Sequence, residues 1–245
     1  MTRYRMTVAY DGTAYAGWQI QPGNPTVQAA LEAAVQGITG EAPKLHGSGR
    51  TDQGVHAHGQ VAHFDLQKPL DCEVLLKGLN ALLPADIRVF RVQRAAADFH
   101  ARRSAVRKEY RYLIWNSRIP DPSLRLYRTH VRHPLDVQAM QAAARLLVGR
   151  HDFAAMAANP NREVGSTIRT LSRLSVTRRG HEILIRAESD GFLYKMVRSL
   201  AGLLIRVGEG AVPPRQVAEI LASRLRTARV PTAPPEGLFL WKVWY

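Results

Sequence analysis

The sequence predicts an α+β protein of two similar halves, each a ferredoxin-like split β-α-β unit with an antiparallel sheet, and a cleft between the halves. Three observations predict it. The order strand, helix, two strands, helix, strand can be traced twice, once from residue 1 and again from about residue 106, with one extra helix the second time. Segments that alternate apolar and polar residues are interleaved with segments that repeat apolar residues every three or four. The stretch "IRTLSRLSVTRRGHEILIRAES" joins two strand-like runs by a short turn, so those runs pair antiparallel, which fits poorly with a single parallel, doubly wound sheet. The expected division is 1–105, carrying a glycine-rich loop with one aspartate, and 106–245, completing the cleft.

In the first half, "YRMTVAY" forms a strand that ends at the turn signal Asp11-Gly12. A helix is expected over 25–38, with Val27, Ala30, Leu31, Ala34, Val35 and Ile38 on one face. "NPT" supplies its cap and an early proline, and Gly40 stops it. Strands follow around 43–48 and 58–66. The next helix, 71–83, takes Asp71 as cap, turns Leu75, Leu76, Leu79, Leu82 and Leu83 inward, and stops at Pro84. "IRVFRV", 87–92, closes the half as a strand.

The second half opens with "KEYRYLIW", where Tyr110, Tyr112 and Ile114 alternate with Arg111, Leu113 and Trp115 as a strand requires. A helix at 136–148 runs from Asp136 to Gly149, and the hairpin follows across "TRRG". A longer helix, 192–207, carries Phe192, Met196, Leu200, Leu203, Leu204 and Val207 inward, and a shorter one, 214–225, starts after Pro213-Pro214. "LFLWKVWY" is the closing strand.

Charge narrows the partner. The chain has 34 Lys and Arg against 20 Asp and Glu, a formal net charge of +14. An excess this large favours a polyanion, because each neutralised phosphate releases counterions, and arginine also stacks on bases. No apolar run is long enough to span a bilayer, and "MTRYRMTVAYDG" has no apolar signal-peptide core. The lone Cys72 excludes an intramolecular disulfide and a Cys-based zinc site, so a reducing, cytoplasmic setting is expected.

The candidate chemistry lies in "HGSGRTDQGVHAHGQVAHF", residues 46–64. Three aspartates sit in glycine-rich context. Asp11 in "YDGT" is expected to serve a turn, and Asp190 in "SDGFLYKMVR" to cap the helix behind it. Asp52 differs, because its flanks "GSGR" and "QGVHAHG" have no apolar periodicity with which to bury themselves. A loop without packing value that carries Arg50 and Asp52 points to function, while an Asx-turn with a surface ion pair remains the structural reading. His56 and His58 have a spacing found in metal sites, yet no cysteine or third ligand stands in register, so no metal is expected. His56 is expected to orient the loop by hydrogen bonding or to meet a phosphate. Arg102, Arg103, Arg107, Lys108 and Arg111 cluster where the halves join and are expected to meet phosphates.

The blocks "YDGTAYAGWQIQP", "GSGRTDQGVHAHGQVAHF", "FHARRSA", "KEYRYLIW", "DGFLYKMVRSLAG" and "APPEGLFLWKVWY" stand in an order and spacing that resembles the tRNA pseudouridine synthase A family over essentially the whole chain. The resemblance implies an isomerase that converts uridine to pseudouridine in the tRNA anticodon stem-loop, at positions 38 to 40. It implies Asp52 as the catalytic residue, Tyr110 against the target base, and Arg50 and Arg198 completing the site. It also implies a homodimer whose two clefts share one tRNA. Arg50 is assigned to insertion into the RNA stack and Arg198 to partnering the carboxylate, with the reverse assignment open at this point. Gln53, Arg103 and "HDFAAM" depart from the family's commoner residues and bear on substrate preference rather than on the reaction. No cofactor is expected, since the product is an isomer of the substrate and the chain has no dinucleotide fingerprint or P-loop.

Two rival readings come from other classes. A non-catalytic RNA-binding protein of similar architecture should show an aromatic "K/R-G-F/Y-G/A-F-V-x-F/Y" strand, which is missing here. A glycoside-type hydrolase wants two carboxylates flanking the bond, and only one stands out.

Overall fold

The computed structural model describes residues 1–158 and 165–245. The fold is mixed α/β, with mostly antiparallel strands and, among the described residues, five α-helices. Its contacts divide into two compact units, Met1–Val106 with Phe239–Tyr245, and Arg107–Leu238.

The first unit follows the chain as β1 (Thr2–Tyr10), α1 (Val27–Thr39), β2 (His46–Gly47), β3 (His56–Leu66), α2 (Cys72–Leu82) and β4 (Ile87–Arg94). β1 lies between β3 and β4 and is antiparallel to both. The alternation in β1 buries Tyr4, Met6, Val8 and Tyr10, while Leu31 and Val35 of α1 and Leu75 and Leu79 of α2 are fully enclosed. Each such aliphatic side chain contributes roughly 1.5–3 kcal/mol on burial. Asp71 and Gly40 serve as expected, but α1 starts two residues later than expected because Thr26, behind Pro25, is its cap. The Thr26 side chain accepts from the Ala29 N–H, Gly40 ends α1 in the left-handed conformation, and Asp71 accepts from the Glu73 and Val74 N–H groups.

Only His46–Gly47 of the expected 43–48 strand pairs with β3. The reason lies one residue earlier. The Leu45 N–H donates to Glu32 and its carbonyl accepts from Gln28, so side chains of α1 satisfy a backbone that a sheet would otherwise take.

The second unit contains β5 (Arg107–Asn116), β6 (Thr129–Val131), α3 (Val137–Leu147), β7 (Gly149–Asp152), β8 (Ile168–Arg179), β9 (Glu182–Ser189), α4 (Met196–Gly208) and α5 (Gln216–Ser223). β9 lies between β5 and β8, antiparallel to both. Tyr112, Ile114, Ile183, Ile185 and Val176 form the buried side of these strands, with Met140, Leu147, Leu200, Leu203 and Leu204 among the enclosed helix residues. The short strands β6 and β7 escape a periodicity argument because three or four residues show no period.

One expectation is corrected. Asp190 does not cap a helix: its Oδ1 accepts the Thr170 N–H at 3.1 Å. α4 begins only at Met196, behind Lys195 at φ 56°, with no side-chain cap. The last strand, β10 (Leu238–Trp244), runs parallel to β3, with Phe239 opposite His56 and Leu240 opposite Ala57.

Candidate active site

The segment from Ser48 to Val55 joins β2 to β3 without regular structure, yet its backbone is held at almost every step. At its start, the Ser48 N–H donates to the Val61 carbonyl at 2.7 Å. The Ser48 hydroxyl donates to the buried Gln60 amide oxygen at 2.7 Å, and the Gln60 amide donates back to the Gly49 carbonyl at 2.8 Å. In the middle, the Thr51 carbonyl accepts the Trp18 N–H at 3.1 Å, while the Thr51 and Tyr10 hydroxyls lie 2.8 Å apart. Burial pushes the Tyr10 phenol up to about 12, so it stays neutral in this bond. At the end, the Val55 N–H closes a turn on the Asp52 carbonyl at 3.2 Å.

The support beneath this loop is the segment 11–18, and it is close because two of its residues are glycines. A Cβ on Gly17 would lie 2.5 Å from the Thr51 carbonyl oxygen and 3.0 Å from the Asp52 carbonyl carbon, and Gly17 itself has φ 99°. A Cβ on Gly12 would overlap the Val55 carbonyl. "YDGTAYAGW" is therefore a cradle as well as a turn. Asp11 builds the turn as expected, accepting the N–H and the hydroxyl of Thr13.

Asp52 itself is half-buried and Arg50 is exposed. His56 is only 1% exposed, its ring stacked on Phe239 at 4.6 Å. His56 Nδ1 lies 3.0 Å from the Gly12 nitrogen and 3.1 Å from Asp11 Oδ1. These two contacts require opposite protonation at Nδ1. Since Asp11 Oδ1 already accepts twice, the Gly12 N–H is the partner, and Nδ1 accepts. His56 is thereby tied to the 11–12 turn. Arg102 is exposed in the turn after Phe99, its own N–H donating to His100 Nδ1 at 3.1 Å.

In the second unit, Tyr110 on β5 is 8% exposed and meets the Phe192 ring edge-on at 5.1 Å. Lys108, half-buried, stands opposite Ser189 of β9. Arg107 lies 3.2 Å from Glu188. Arg198, on the first turn of α4, donates from Nε to the Ala233 carbonyl at 2.7 Å, and its own carbonyl accepts the Ala233 N–H at 3.0 Å. The first bond restrains the guanidinium at Nε, and the second ties the backbone of the first turn of α4 to Ala233.

Sequence reasoning missed the carboxylates that hold the arginines upright. Glu109, 1% exposed, bonds Arg111 at 2.8 Å and Arg186 at 2.9 Å, and Glu188, 5% exposed, bonds Arg186 at 2.9 Å. The alternating charges of "RKEYR" and "IRAES" were the available signal. Buried charges persist when paired and hydrogen-bonded, which these are.

The tRNA pseudouridine synthase family profile matches residues 6–102 and 143–245, two stretches that include the Asp52 loop and Arg198. The chain belongs to the tRNA pseudouridine synthase family. Relatives support this over its full length: it is 44% identical to tRNA pseudouridine synthase A of Brevibacillus brevis, across 100% of both chains. The enzyme of the same name from Geotalea uraniireducens is also 44% identical across 100% of both. That of Halalkalibacterium halodurans is 46% identical over 97% of this chain and 90% of its own. As a pseudouridine synthase the chain is an isomerase. Among the described residues of this pseudouridine synthase, no helix is long and apolar enough to cross a membrane.

Proposed function

We propose that this chain isomerises uridine to pseudouridine in the anticodon stem-loop of tRNA, at positions 38 to 40, with Asp52 as the catalytic carboxylate. Family membership supports the reaction, and the net charge of +14 supports a polyanionic substrate. The observation that carries the assignment of Asp52 is the immobilised loop. Bonds to Tyr10, Trp18 and Gln60 and the close approach of Gly12 and Gly17 hold a segment that has almost no apolar side chains of its own. Such holding serves catalysis, which depends on placing the reacting group to within a fraction of an ångström.

The reaction breaks the N1–C1′ bond, turns the base, joins C5 to C1′, and releases the C5 proton while N1 gains one. Atoms and oxidation level are conserved, so the step asks only for a carboxylate beside the sugar and base as nucleophile or base. A guanidinium keeps such a carboxylate ionised, and Arg198 takes that role, its Nε held by the Ala233 carbonyl. A paired uridine must leave the stack to be reached. Exposed Arg50 fills the space it vacates, Tyr110 stacks on the flipped uracil, and His56 holds the turn beneath the Asp52 loop. Arg102, Arg107 and Lys108 bind phosphates. Each half is a ferredoxin-like unit, the first, 1–105, carrying the carboxylate and the second, 106–245, carrying Tyr110 and Arg198. The enzyme works in the cytoplasm as a homodimer that shares one tRNA.

The test is tritium release from tRNA labelled at uridine C5. Wild-type protein should release label, and Asp52→Asn, which keeps the shape and removes the charge, should release none while still binding tRNA. Turnover by Asp52→Asn at a comparable rate would overturn the assignment.

A further inference from the structure

β1 has an irregular neighbour on each side at the same level. From Val8 to Tyr10 the paired residues of β3 advance from Gln60 to Ala57, so β3 carries an extra residue at 58–59. From Thr7 to Val8 the partners on β4 advance from Arg91 to Val89, leaving Phe90 as the extra residue there. A bulge interrupts the ladder and re-aims a side chain, and bulges are concentrated next to active sites. Here the bulges accompany an exposed His58 and a Phe90 that is 60% exposed.

These rings gather. His58 stacks on Trp241 with centroids 4.3 Å apart and planes at 14°, and Phe90 lies 6.3 Å from His58 at a tilt of 42°. Trp241 reaches them because β10 pairs in parallel with β3. Arg91, exposed, follows Phe90. A single exposed phenylalanine is commonplace. Three rings from three strands, with a bulge beside two of them, form a built surface.

We propose that Phe90, His58 and Trp241 form a stacking platform for an unpaired nucleobase of the RNA substrate. Flat π faces match a base, the exposed Arg91 next in the chain is a cation suited to its phosphate, and the charge of +14 favours RNA over an apolar protein partner. The location sets which base. His58 lies two residues beyond His56 on β3, roughly 7 Å along the strand, at the end of β3 that leads into the Asp52 loop. The platform therefore holds a neighbour of the reacting uridine. This inference rests on the function proposed above and names a subsite within it.

The experiment measures binding of a fluorescent anticodon stem-loop RNA to Asp52→Asn protein and to Asp52→Asn combined with Phe90→Ala, Phe90→Tyr or Phe90→Leu. A scan of abasic positions through the RNA loop is run alongside, and circular dichroism checks folding. Loss of one base–aromatic stack should weaken binding by about tenfold for Phe90→Ala, with Phe90→Tyr close to the parent. One abasic position should abolish the difference between parent and Phe90→Ala. Equal affinity of the parent and Phe90→Ala, or an abasic scan in which no position removes the difference, would overturn the platform. So would Phe90→Leu binding as well as Phe90→Tyr, since apolar area alone would then suffice. Failure of the parent to bind the RNA would instead overturn the function on which the platform rests.

Discussion

Replacing Gly17 by alanine perturbs the Asp52 loop without touching any group assigned to chemistry. The new Cβ would stand 2.5 Å from the Thr51 carbonyl oxygen and 3.0 Å from the Asp52 carbonyl carbon. Van der Waals separation is roughly 3.5 Å, so the peptide that carries Asp52 must retreat by about 1 Å. The φ of 99° at Gly17 adds strain for any residue with a side chain, on the order of 1–2 kcal/mol. A displacement of about 1 Å in a positioned catalytic group lowers turnover by about a hundredfold. Gly17→Ala should therefore lower kcat for tritium release by one to two orders of magnitude. Its KM for tRNA should change little, because phosphate contacts are made elsewhere. Thermal unfolding, followed in parallel, should show a loss of only about 1–3 kcal/mol, leaving the protein folded at assay temperature. If a folded Gly17→Ala protein turns over at the wild-type rate, then the cradle does not set the position of Asp52, and the reasoning from backbone contact to catalysis fails.

Three further outcomes test other parts of the reading. Tyr110→Phe keeps the ring against Phe192 and removes the hydroxyl, so RNA affinity should hold while turnover drops by about a hundredfold if that hydroxyl moves a proton; unchanged turnover would restrict Tyr110 to stacking. Affinity for tRNA should fall steeply and linearly with the logarithm of salt concentration, and a flat dependence would contradict phosphate contact by Arg102, Arg107 and Lys108. His63, 3% exposed, is lowered to about 4 by burial and by its neighbours His100, His46 and Arg3. The unfolded chain then binds this proton more readily than the folded one, so stability is lost as pH falls from about 6.5 towards 4. Urea unfolding of wild type and His63→Gln across that range should show the loss in the first and a flatter profile in the second.

The periodic parts of the chain were legible from residues alone. The helices capped by Asp71 and Asp136 begin where those residues predicted, because a short polar side chain satisfies the same orphan N–H groups in any context, whereas the first helix starts at Val27, two residues later than expected, with Thr26 as its cap. Asp190 misled for the converse reason. It has a capping side chain ahead of an apolar run, but β8 presents an N–H from Thr170, and that long-range partner took the carboxylate. Residues 43–45 misled similarly, since the claim of Gln28 and Glu32 on Leu45 depends on how α1 lies beside them.

For the site, a local motif was enough to mark Asp52 and Arg50 as candidates, because a glycine-rich stretch with no apolar period does not bury itself. What holds that loop was not readable. Gly12 and Gly17 look like turn residues in isolation, and only the folded chain puts the Val55 and Thr51 carbonyls where a Cβ would stand. The rings of His58, Phe90 and Trp241 are 32 and 151 residues apart along the chain in successive steps, and bulges at 58–59 and 90 shift their registers by one. By itself the sequence determined most of the elements, the charge and the candidate carboxylate, all of which depend on near neighbours or on composition. The tertiary structure alone decided what buttresses that carboxylate and which side chains gather beside it, because those depend on contacts between segments whose spacing in the chain carries no trace of them.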